Sequence, residues 1–258
     1  MKKYSVLIVG AGNQGALSDI PGSENSHKII SFAHAFTMYP NFDIIGIADI
    51  DEEKSKHAEK IWNIPGGCSY IKPDVVVIAT PDDAHFQELY NWAHKDVKLV
   101  IVEKPLCDDL QQAREIVELY KAKGIPLMVD NTRNFIPCLR NLTKEHGKAI
   151  SGYCLFNRGW LHSAVHAIGF FRMFNLANYK IKEVKNLDFR VWILNICFED
   201  GYVWSEERIT NDMPVPQYYD FHMEHVVENA FNFLEGEEPL IYTGEMALKD
   251  LETCFNLM

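Results

Sequence analysis

The feature that most constrains the fold of this chain is an apolar segment followed directly by a glycine pattern. Residues 4–9 (YSVLIV) have the length and composition of a buried strand, and residues 10–15 read G-x-G-x-x-G. After a strand, the first glycine permits a tight turn, the second leaves room for a pyrophosphate, and the third permits close packing of strand and helix. We therefore predict a dinucleotide site in preference to a glycine-rich turn without a ligand. Its first predicted residues are Gly10, Gly12, Asn13, Gln14 and Gly15.

The end of the second predicted strand indicates which cofactor binds. Residues 42–48 are apolar and are followed by Asp49, Ile50 and Asp51. A carboxylate at this strand end accepts hydrogen bonds from the adenosine ribose and repels a 2′-phosphate, so Asp49 favours NAD over NADP. Ile50 is predicted to lie beside the same site, whereas Asp51 is better explained as the N-cap of the next helix.

The segment between the glycine pattern and Asp49 is longer than the usual spacing of about 20 residues. Residues 17–25 are polar and interrupted by Pro21-Gly22, which indicates an inserted loop. A helix is predicted to follow, from an N-cap at Ser26 to about residue 39. Two roles remain open for the loop: closure over the cofactor or substrate, and a plain surface connection.

Strands and helices alternate through the first half of the chain. Apolar strands are predicted at residues 74–79, 99–102 and 126–129, with helices at 51–61, after Thr80-Pro81, and between Asp108 or Asp109 and Gly124. This alternation is typical of an α/β fold with a doubly wound parallel sheet. Residues 1–132 are therefore predicted to form a Rossmann domain.

The pattern changes after residue 132. Helices are predicted at 135–146, 161–174, 219–234 and 245–258, and strands at 149–157, 183–189, 191–198 and 202–210, with Asp200-Gly201 as a hairpin turn. Strands that follow one another without helices favour an antiparallel sheet. Residues 133–258 are therefore predicted to form a small α+β domain for substrate binding and dimerisation, with a C-terminal helix free to pack back on the first domain.

Composition excludes several classes of partner. The 258 residues include 25 Lys and Arg against 36 Asp and Glu, a net charge of −11 without a basic cluster, which argues against nucleic-acid and anionic-membrane partners. The sequence has no pattern of a signal peptide and no apolar run long enough to span a bilayer. The six cysteines lack C-x-x-C spacing, which favours a reduced, cytoplasmic protein; they are Cys68, Cys107, Cys138, Cys154, Cys197 and Cys254.

Taken together in their order, these motifs resemble one family, the glucose–fructose oxidoreductase / inositol dehydrogenase (Gfo/Idh/MocA) group, of which the chain looks like a short member. The matching stretches are residues 10–15, Ala48-Asp49, Ala79-Thr80-Pro81 with His85, Glu103-Lys104-Pro105, a helix carrying His166, and residues 242–248. The resemblance implies a homodimer or larger homo-oligomer. It also implies hydride transfer between NAD and a secondary hydroxyl of a sugar, cyclitol or nucleotide sugar. It adds Thr80, Pro81, His85, Glu103 and Lys104 to the cofactor site.

The resemblance also implies the catalytic residues. Lys104 corresponds to the active-site lysine that hydrogen-bonds the reacting oxygen, and His166 to the histidine that exchanges the hydroxyl proton. Where the family commonly has Asp one turn earlier, this chain has His162, and positions i and i+4 share one helix face. The catalytic residues are thus predicted to be Lys104, His166 and His162. The substrate-binding residues are predicted to be Lys104, Arg133, Asn157, Trp160, His162 and His166.

Three other functions compete with this interpretation. His162-x-x-x-His166, with Asp220, His222 and His225, has zinc-like spacing, but the H-E-x-x-H pattern is missing and no metal is predicted. The missing aspartate leaves open a catalytically weak or inactive dinucleotide-binding sensor with the same fold. A nucleophilic hydrolase is set aside because the sequence has no G-x-S-x-G pattern.

Overall fold

The first sheet consists of five parallel strands in the order β2-β1-β3-β4-β5. The computed structural model describes residues 3–64, 72–210 and 216–258, so Cys68 lies outside the described residues. Strands β3 and β4 are buried along their whole length, as expected of a parallel sheet covered on both faces. The strands are β1 (Tyr4–Val9), β2 (Phe42–Ala48), β3 (Val75–Ile78), β4 (Leu99–Glu103) and β5 (Leu127–Asp130).

Four helices connect these strands, and their ends follow local capping chemistry. Asp51 accepts hydrogen bonds from the amides of Glu53 and Lys54, and Asp109 accepts one from the amide of Gln112. Gly124 ends the fourth helix at φ +66°, in the left-handed region that favours glycine. The helices are α1 (Phe32–Met38), α2 (Glu52–Ile61), α3 (His85–Trp92) and α4 (Leu110–Lys123).

The predicted N-cap at Ser26 is wrong, because α1 begins after Ser31. The side chain of Ser31 accepts a hydrogen bond from the amide of His34. The buried carboxylate of Asp19 accepts hydrogen bonds from the amides of Ile30 and Ser31, at 2.6 and 3.0 Å. These bonds hold the preceding backbone outside the helix, and nothing near Ser26 in sequence signals them.

The second half of the chain builds a four-stranded mixed sheet in the order β7-β6-β8-β9. Strand β6 is parallel to β7, whereas the β6–β8 and β8–β9 pairs are antiparallel. The turn between β8 and β9 contains Gly201 at φ +88°, as predicted for a hairpin. The strands are β6 (Ala149–Phe156), β7 (Tyr179–Glu183), β8 (Trp192–Phe198) and β9 (Val203–Arg208).

Two predictions in this half are wrong. A strand was expected at 183–189, but the observed strand β7 ends at Glu183. Asn186 after it has φ +62°, which is incompatible with an extended strand. The helix expected at 135–146 is divided into α5 (Pro137–Arg140) and α6 (Leu142–His146). Helix α7 (Val165–Met173) is preceded by a separate short helical turn, Trp160–Ala164, which carries His162.

The last two helices pack on the first sheet. Helix α8 (His222–Leu234) lies against α1 and places Val226, Val227 and Ala230 in the same hydrophobic core as β1. Helix α9 (Gly244–Leu257) contacts α4, and the amide of Val129 in β5 donates to the carbonyl of Tyr242, at 3.0 Å. The domain boundary at residue 132 stays a prediction. In the described part of the chain, no helix has the length and hydropathy needed to cross a membrane.

Candidate active site

The glycine turn after β1 has the geometry that the sequence predicts. Gly10 has φ +105°, and a Cβ there would lie 2.4 Å from the carbonyl oxygen of Ala79. A Cβ on Gly15 would lie only 1.9 Å from the carbonyl oxygen of Gly10, so this glycine lets the following turn pack on the strand. A Cβ on Gly12 would meet nothing within 4 Å. The backbone at Gly12 is therefore open to a ligand.

A cavity of about 900 Å³ lies over the carboxyl ends of β1 to β4, where ligands bind in open parallel sheets. Gly15 and His85 are the two predicted cofactor residues that do not line it. The predicted residues that do line it are Gly10, Gly12, Asn13, Gln14, Asp49, Ile50, Thr80, Pro81, Glu103 and Lys104.

Asp49 is fixed to the glycine turn. Its Oδ2 accepts a hydrogen bond from the amide of Ala11 at 2.8 Å, and its Oδ1 accepts one from the amide of Asp51 at 2.9 Å. Each carboxylate oxygen keeps acceptor capacity for a ribose hydroxyl. Lys54, in the first turn of α2, also lines this end of the cavity, and sequence reasoning missed it. Its position one turn after the Asp51 cap was the available signal.

His85 is a structural residue in this geometry. Its ring is fully buried, with Nδ1 2.7 Å from the carbonyl oxygen of Pro105 and Nε2 3.0 Å from that of Thr80. Burial lowers the pKa of His85, although these carbonyl contacts oppose the effect. The ring thus ties together the segments that follow β3 and β4, and it supports the cavity from behind.

A smaller cavity of about 270 Å³ lies next to the first, and Gln14, Glu103, Lys104 and His162 line both. Lys104 directly follows β4, and the Lys104–Pro105 peptide bond is cis. His166 lines the smaller cavity, so the structure brings together the three predicted catalytic residues. The remaining lining residues are Thr132, Arg133, Ser163, Arg190, Trp192, Arg208, Tyr219 and His222.

The hydrogen bonds around Asn131 define the tautomer of His166. The Asn131 Nδ2 donates to the carbonyl oxygen of Val165 at 3.3 Å, which turns Oδ1 toward His166 Nδ1, at 3.3 Å. Because Oδ1 only accepts, Nδ1 must carry the proton and Nε2 is left as the basic nitrogen. Burial lowers the pKa of His166 well below its usual value, and the charges of Lys104 and Arg133 lower it further. The ring is therefore neutral near pH 7.

A buried network behind Asn131 holds this amide in place. The hydroxyl of Tyr242 accepts a hydrogen bond from Asn131 Nδ2 and donates one to Asp250 on α9. The Arg172 Nε in turn donates to Asp250 at 2.8 Å. Tyr242, Asp250 and Arg172 were not assigned a site role from sequence, because they act on His166 only through tertiary contacts.

Glu103, which lines both cavities, lies beside a second buried carboxyl group. Glu103 and Asp130 are partners in the β4–β5 register and are both buried. Burial raises the pKa of Glu103 well above its usual value, and the neighbouring Asp130 carboxylate raises it further. The fold therefore favours the protonated form of Glu103.

The predicted substrate residues Arg133, Asn157 and Trp160 differ in placement. Arg133 lines the smaller cavity but is buried in a two-bond ion pair with Glu206, at 2.7 and 3.1 Å. Asn157 bonds Phe189 and Val191 through its side chain. Trp160 packs edge-on against Phe156. Neither Asn157 nor Trp160 lines a cavity described above.

Metal ligation has little geometric support. Within residues 3–64, 72–210 and 216–258, no three His, Cys, Asp or Glu side chains are grouped as metal ligands. The Nδ1 of His222 lies 2.6 Å from the carbonyl oxygen of Tyr219, and Asp220 pairs with Lys28 at 3.2 Å.

Sequence comparison finds a family model in the first half of the chain and curated relatives over longer stretches. Residues 4–131 match an oxidoreductase family with an NAD-binding Rossmann fold. An inositol 2-dehydrogenase of Rubrobacter xylanophilus is 25% identical over 211 residues, which are 78% of this chain and 55% of that protein. The matched regions span about half, or less, of the curated relatives.

Solved structures share the fold over the whole chain. A dehydrogenase from Chromobacterium violaceum has a TM-score of 0.76 at 13% identity, covering 100% of this chain and 95% of that one. GenD2 from gentamicin A biosynthesis, in complex with NAD, has a TM-score of 0.71 at 14% identity, covering 99% and 93%. At these identities the similarity establishes a two-domain architecture, with a Rossmann sheet followed by a second sheet.

Proposed function

Because the chain belongs, by its residues 4–131, to the Gfo/Idh/MocA family of NAD-binding oxidoreductases, we propose that it is an NAD-dependent dehydrogenase. Its reaction would interconvert a secondary hydroxyl and a ketone on a sugar-like substrate. The inositol dehydrogenase named above supports this substrate class. We further propose that it acts as a cytoplasmic homodimer or larger homo-oligomer.

One observation carries the proposal: the two cavities meet at Lys104 and His162, with the neutral His166 in the smaller one. The larger cavity has the volume of a cofactor site. The shared edge carries the Lys104 cation, and the smaller cavity contains the proposed acid/base group, His166. This is the arrangement that a hydride transfer between two bound molecules requires.

The chain fits a dinucleotide in the larger cavity. The space above Gly12 is open, as close approach of a pyrophosphate requires. The buried Thr80 Oγ1 lines the cavity and has no hydrogen-bond partner among the described residues, which leaves it available to a ligand. Asp49 is positioned for the adenosine ribose. A bound nicotinamide nucleotide would supply the hydride acceptor or donor.

The protein side chains then act on the substrate. The Lys104 ammonium donates a hydrogen bond to the reacting oxygen and stabilises the negative charge that develops there. In the oxidation direction, the Nε2 of His166 accepts the hydroxyl proton as the carbon–hydrogen bond breaks, and in the reverse direction it returns this proton. His162 shares the cavity edge and contacts the same region, so we assign it a supporting role.

Substitution of Lys104 tests the proposal. We expect Lys104→Ala to lower kcat by about 10²–10⁴-fold, the usual range for a positioned group, with little change in NADH affinity. Lys123→Ala removes the same charge from the exposed end of α4 and should change neither quantity. NADH fluorescence titration and turnover of a sugar and cyclitol panel provide the measurements.

The results separate the dehydrogenase from its alternatives. NADH binding without turnover of any panel member by the wild type would favour the dinucleotide-binding sensor. No affinity for any nicotinamide nucleotide would remove both proposals.

A further inference from the structure

Two arginines from the second sheet line the smaller cavity. Arg190 lies just before β8, and Arg208 is the last residue of β9. The register pairs Trp192 with Arg208, so the hairpin brings both arginines to one end of the sheet. Both line the cavity that contains His166.

Neither arginine has an acidic partner in the described part of the chain. No described carboxylate oxygen lies within 4.0 Å of either guanidinium, whereas Arg133 in the same wall pairs with Glu206. Burial lowers the pKa of Arg190, and the nearby charges of Arg208, Arg158 and Arg133 lower it further. Two half-buried guanidinium groups in one cavity, with no anion beside them among the described residues, are costly.

The other groups near the cavity compensate this charge only in part. Glu206 opposes the lowering of the Arg190 pKa, but it is already paired with Arg133. Burial beside Asp130 raises the pKa of Glu103, which favours its neutral form. His162 and His166 are neutral, since burial and Lys104 lower the pKa of each. Lys104 adds a third cation. In a chain of net charge −11, this concentration of positive charge is local to the cavity.

We propose that Arg190 and Arg208 bind an oxyanion of the substrate, a carboxylate or a phosphate carried on a single sugar or cyclitol ring. This inference rests on the proposed function. Guanidinium groups match both oxyanions through paired hydrogen bonds. The volume of about 270 Å³ falls below the ~300–1,000 Å³ of sites for drug-sized ligands, which favours one ring over a nucleotide sugar.

The arginines do not belong to the cofactor site. The adenosine end is defined by Asp49, which lines the larger cavity, and neither Arg190 nor Arg208 lines that cavity. The cation that lines that cavity beside Asp49 is Lys54. The anion at the arginines is therefore carried by the second substrate.

Thermal unfolding tests the site without requiring turnover. The wild type is loaded with NADH, so that the glycine turn is occupied, and is heated with inorganic phosphate, acetate or chloride at matched ionic strength. We expect phosphate or acetate to raise Tm above the chloride value through binding to the folded state. The double variant Arg190→Gln/Arg208→Gln should lose this shift. Arg140→Gln, which removes one charge from the exposed surface of α5, should retain it.

A second measurement identifies the anion. D-glucuronate, D-glucose 6-phosphate and D-glucose share a ring and differ in charge. We expect one of the two charged sugars to bind more tightly than glucose, and the double variant to weaken it by about ten- to a hundredfold, the loss typical of one or two bonds to a charged group. Whichever charged sugar binds more tightly identifies a carboxylate or a phosphate as the preferred group.

The failures are distinguishable. Absence of any stabilisation of the wild type by phosphate and acetate, or an equal shift in the double variant, overturns the oxyanion site while NADH binding and the Lys104 result stand. If NADH does not bind and Lys104→Ala behaves as the wild type does, the dehydrogenase is excluded. The oxyanion site is then judged only by comparing the Tm shift of the wild type with that of the double variant.

Discussion

At the scale of single residues, the chemistry of His166 is determined by an amide and by nearby cations. Asn131 fixes the proton on Nδ1, and burial together with Lys104 keeps the ring neutral. An aspartate one turn earlier, common in the resembled family, would stabilise the imidazolium; His162 at that position does the opposite. A lowered pKa leaves His166 able to accept a proton at neutral pH, which suits the role proposed for it.

The pH profile of oxidation reports this arrangement. Since the lowered pKa keeps His166 deprotonated, kcat/KM should stay level from pH 8 down to about 6.5 and fall only below it. Asn131→Asp places a carboxylate beside Nδ1, which raises the pKa of His166 and moves the acid limb to higher pH. A purely structural role for Asn131 would lower activity without moving that limb.

We predict that cofactor preference depends on Asp49 and not on Lys54. Asp49→Ala should weaken NAD and reduce the discrimination against NADP, because it removes both the ribose acceptor and the repulsion of the 2′-phosphate. Lys54→Ala leaves the carboxylate and should preserve the NAD preference. Kd values for both cofactors, by fluorescence titration, decide the point. An unchanged preference in Asp49→Ala would contradict the ribose assignment.

At the scale of elements, the candidate active site lies where strands end and the next segment begins. The carboxyl ends of β1, β2, β3 and β4 form the larger cavity, proposed for the cofactor, and the segment that enters α7 supplies the histidines. In the glycine turn, close packing requires one glycine and the proposed binding of a pyrophosphate requires another. Gly15 is crowded by backbone, whereas Gly12 faces open space.

A matched pair of alanine substitutions separates packing from binding at this turn. Gly15→Ala places a Cβ 1.9 Å from the Gly10 carbonyl oxygen and should lower the free energy of unfolding by about 1–3 kcal/mol, as overpacking does. Gly12→Ala should leave Tm nearly unchanged, since φ is −79° and the Cβ meets nothing, but should weaken NADH strongly. Equal NADH affinity in Gly12→Ala and the wild type would contradict a pyrophosphate at this turn.

At the scale of the whole molecule, the two halves are joined through the active site. Helices α8 and α9 return to the first sheet, and the Arg172–Asp250–Tyr242 network reaches Asn131 across that junction. Buried ionisable groups from both halves make stability depend on pH. Glu103 has a raised pKa, whereas burial lowers the pKa of His222 despite the nearby Asp130.

The dependence of stability on pH has two opposing limbs. Above the usual glutamate pKa of 4.5, Glu103 loses its proton in the unfolded chain but keeps it in the native protein. The contribution of Glu103 to the free energy of unfolding therefore decreases as pH rises toward its native pKa. His166 and His222 stay neutral in the fold but take up protons in the unfolded chain below about 6.5, so stability also falls as pH decreases there.

Glu103→Gln tests the first limb. The substitution keeps a neutral side chain of the same shape and should flatten the decline of the free energy of unfolding from pH 5 to 9, leaving the acid limb in place. Urea unfolding across pH provides the measurement. Glu118→Gln on α4 is a control at a solvent-exposed glutamate. A wild-type slope retained in Glu103→Gln would place the titrating group elsewhere.

Sequence alone determined those parts of the fold whose causes are local. The bounds of β1 and β2, the cap at Asp51 and the terminating Gly124 were all predicted correctly, because strand hydrophobicity, capping and left-handed turns depend on contiguous residues. The sequence left the next cap open between Asp108 and Asp109, and the structure has it at Asp109. The roles assigned to Lys104, His162 and His166 stay predictions.

Only the tertiary structure decided the features that remote residues create. Hydrogen bonds to Asp19 place the N-cap of α1 at Ser31, whereas the sequence predicted it at Ser26. Asn131, 35 positions before His166, determines the tautomer of that histidine. The raised pKa of Glu103 and the placement of Arg190 and Arg208 at one cavity likewise need the folded chain. Charge and proton position depend on the surrounding dielectric and on neighbours in space, and neither is encoded in a short stretch of sequence.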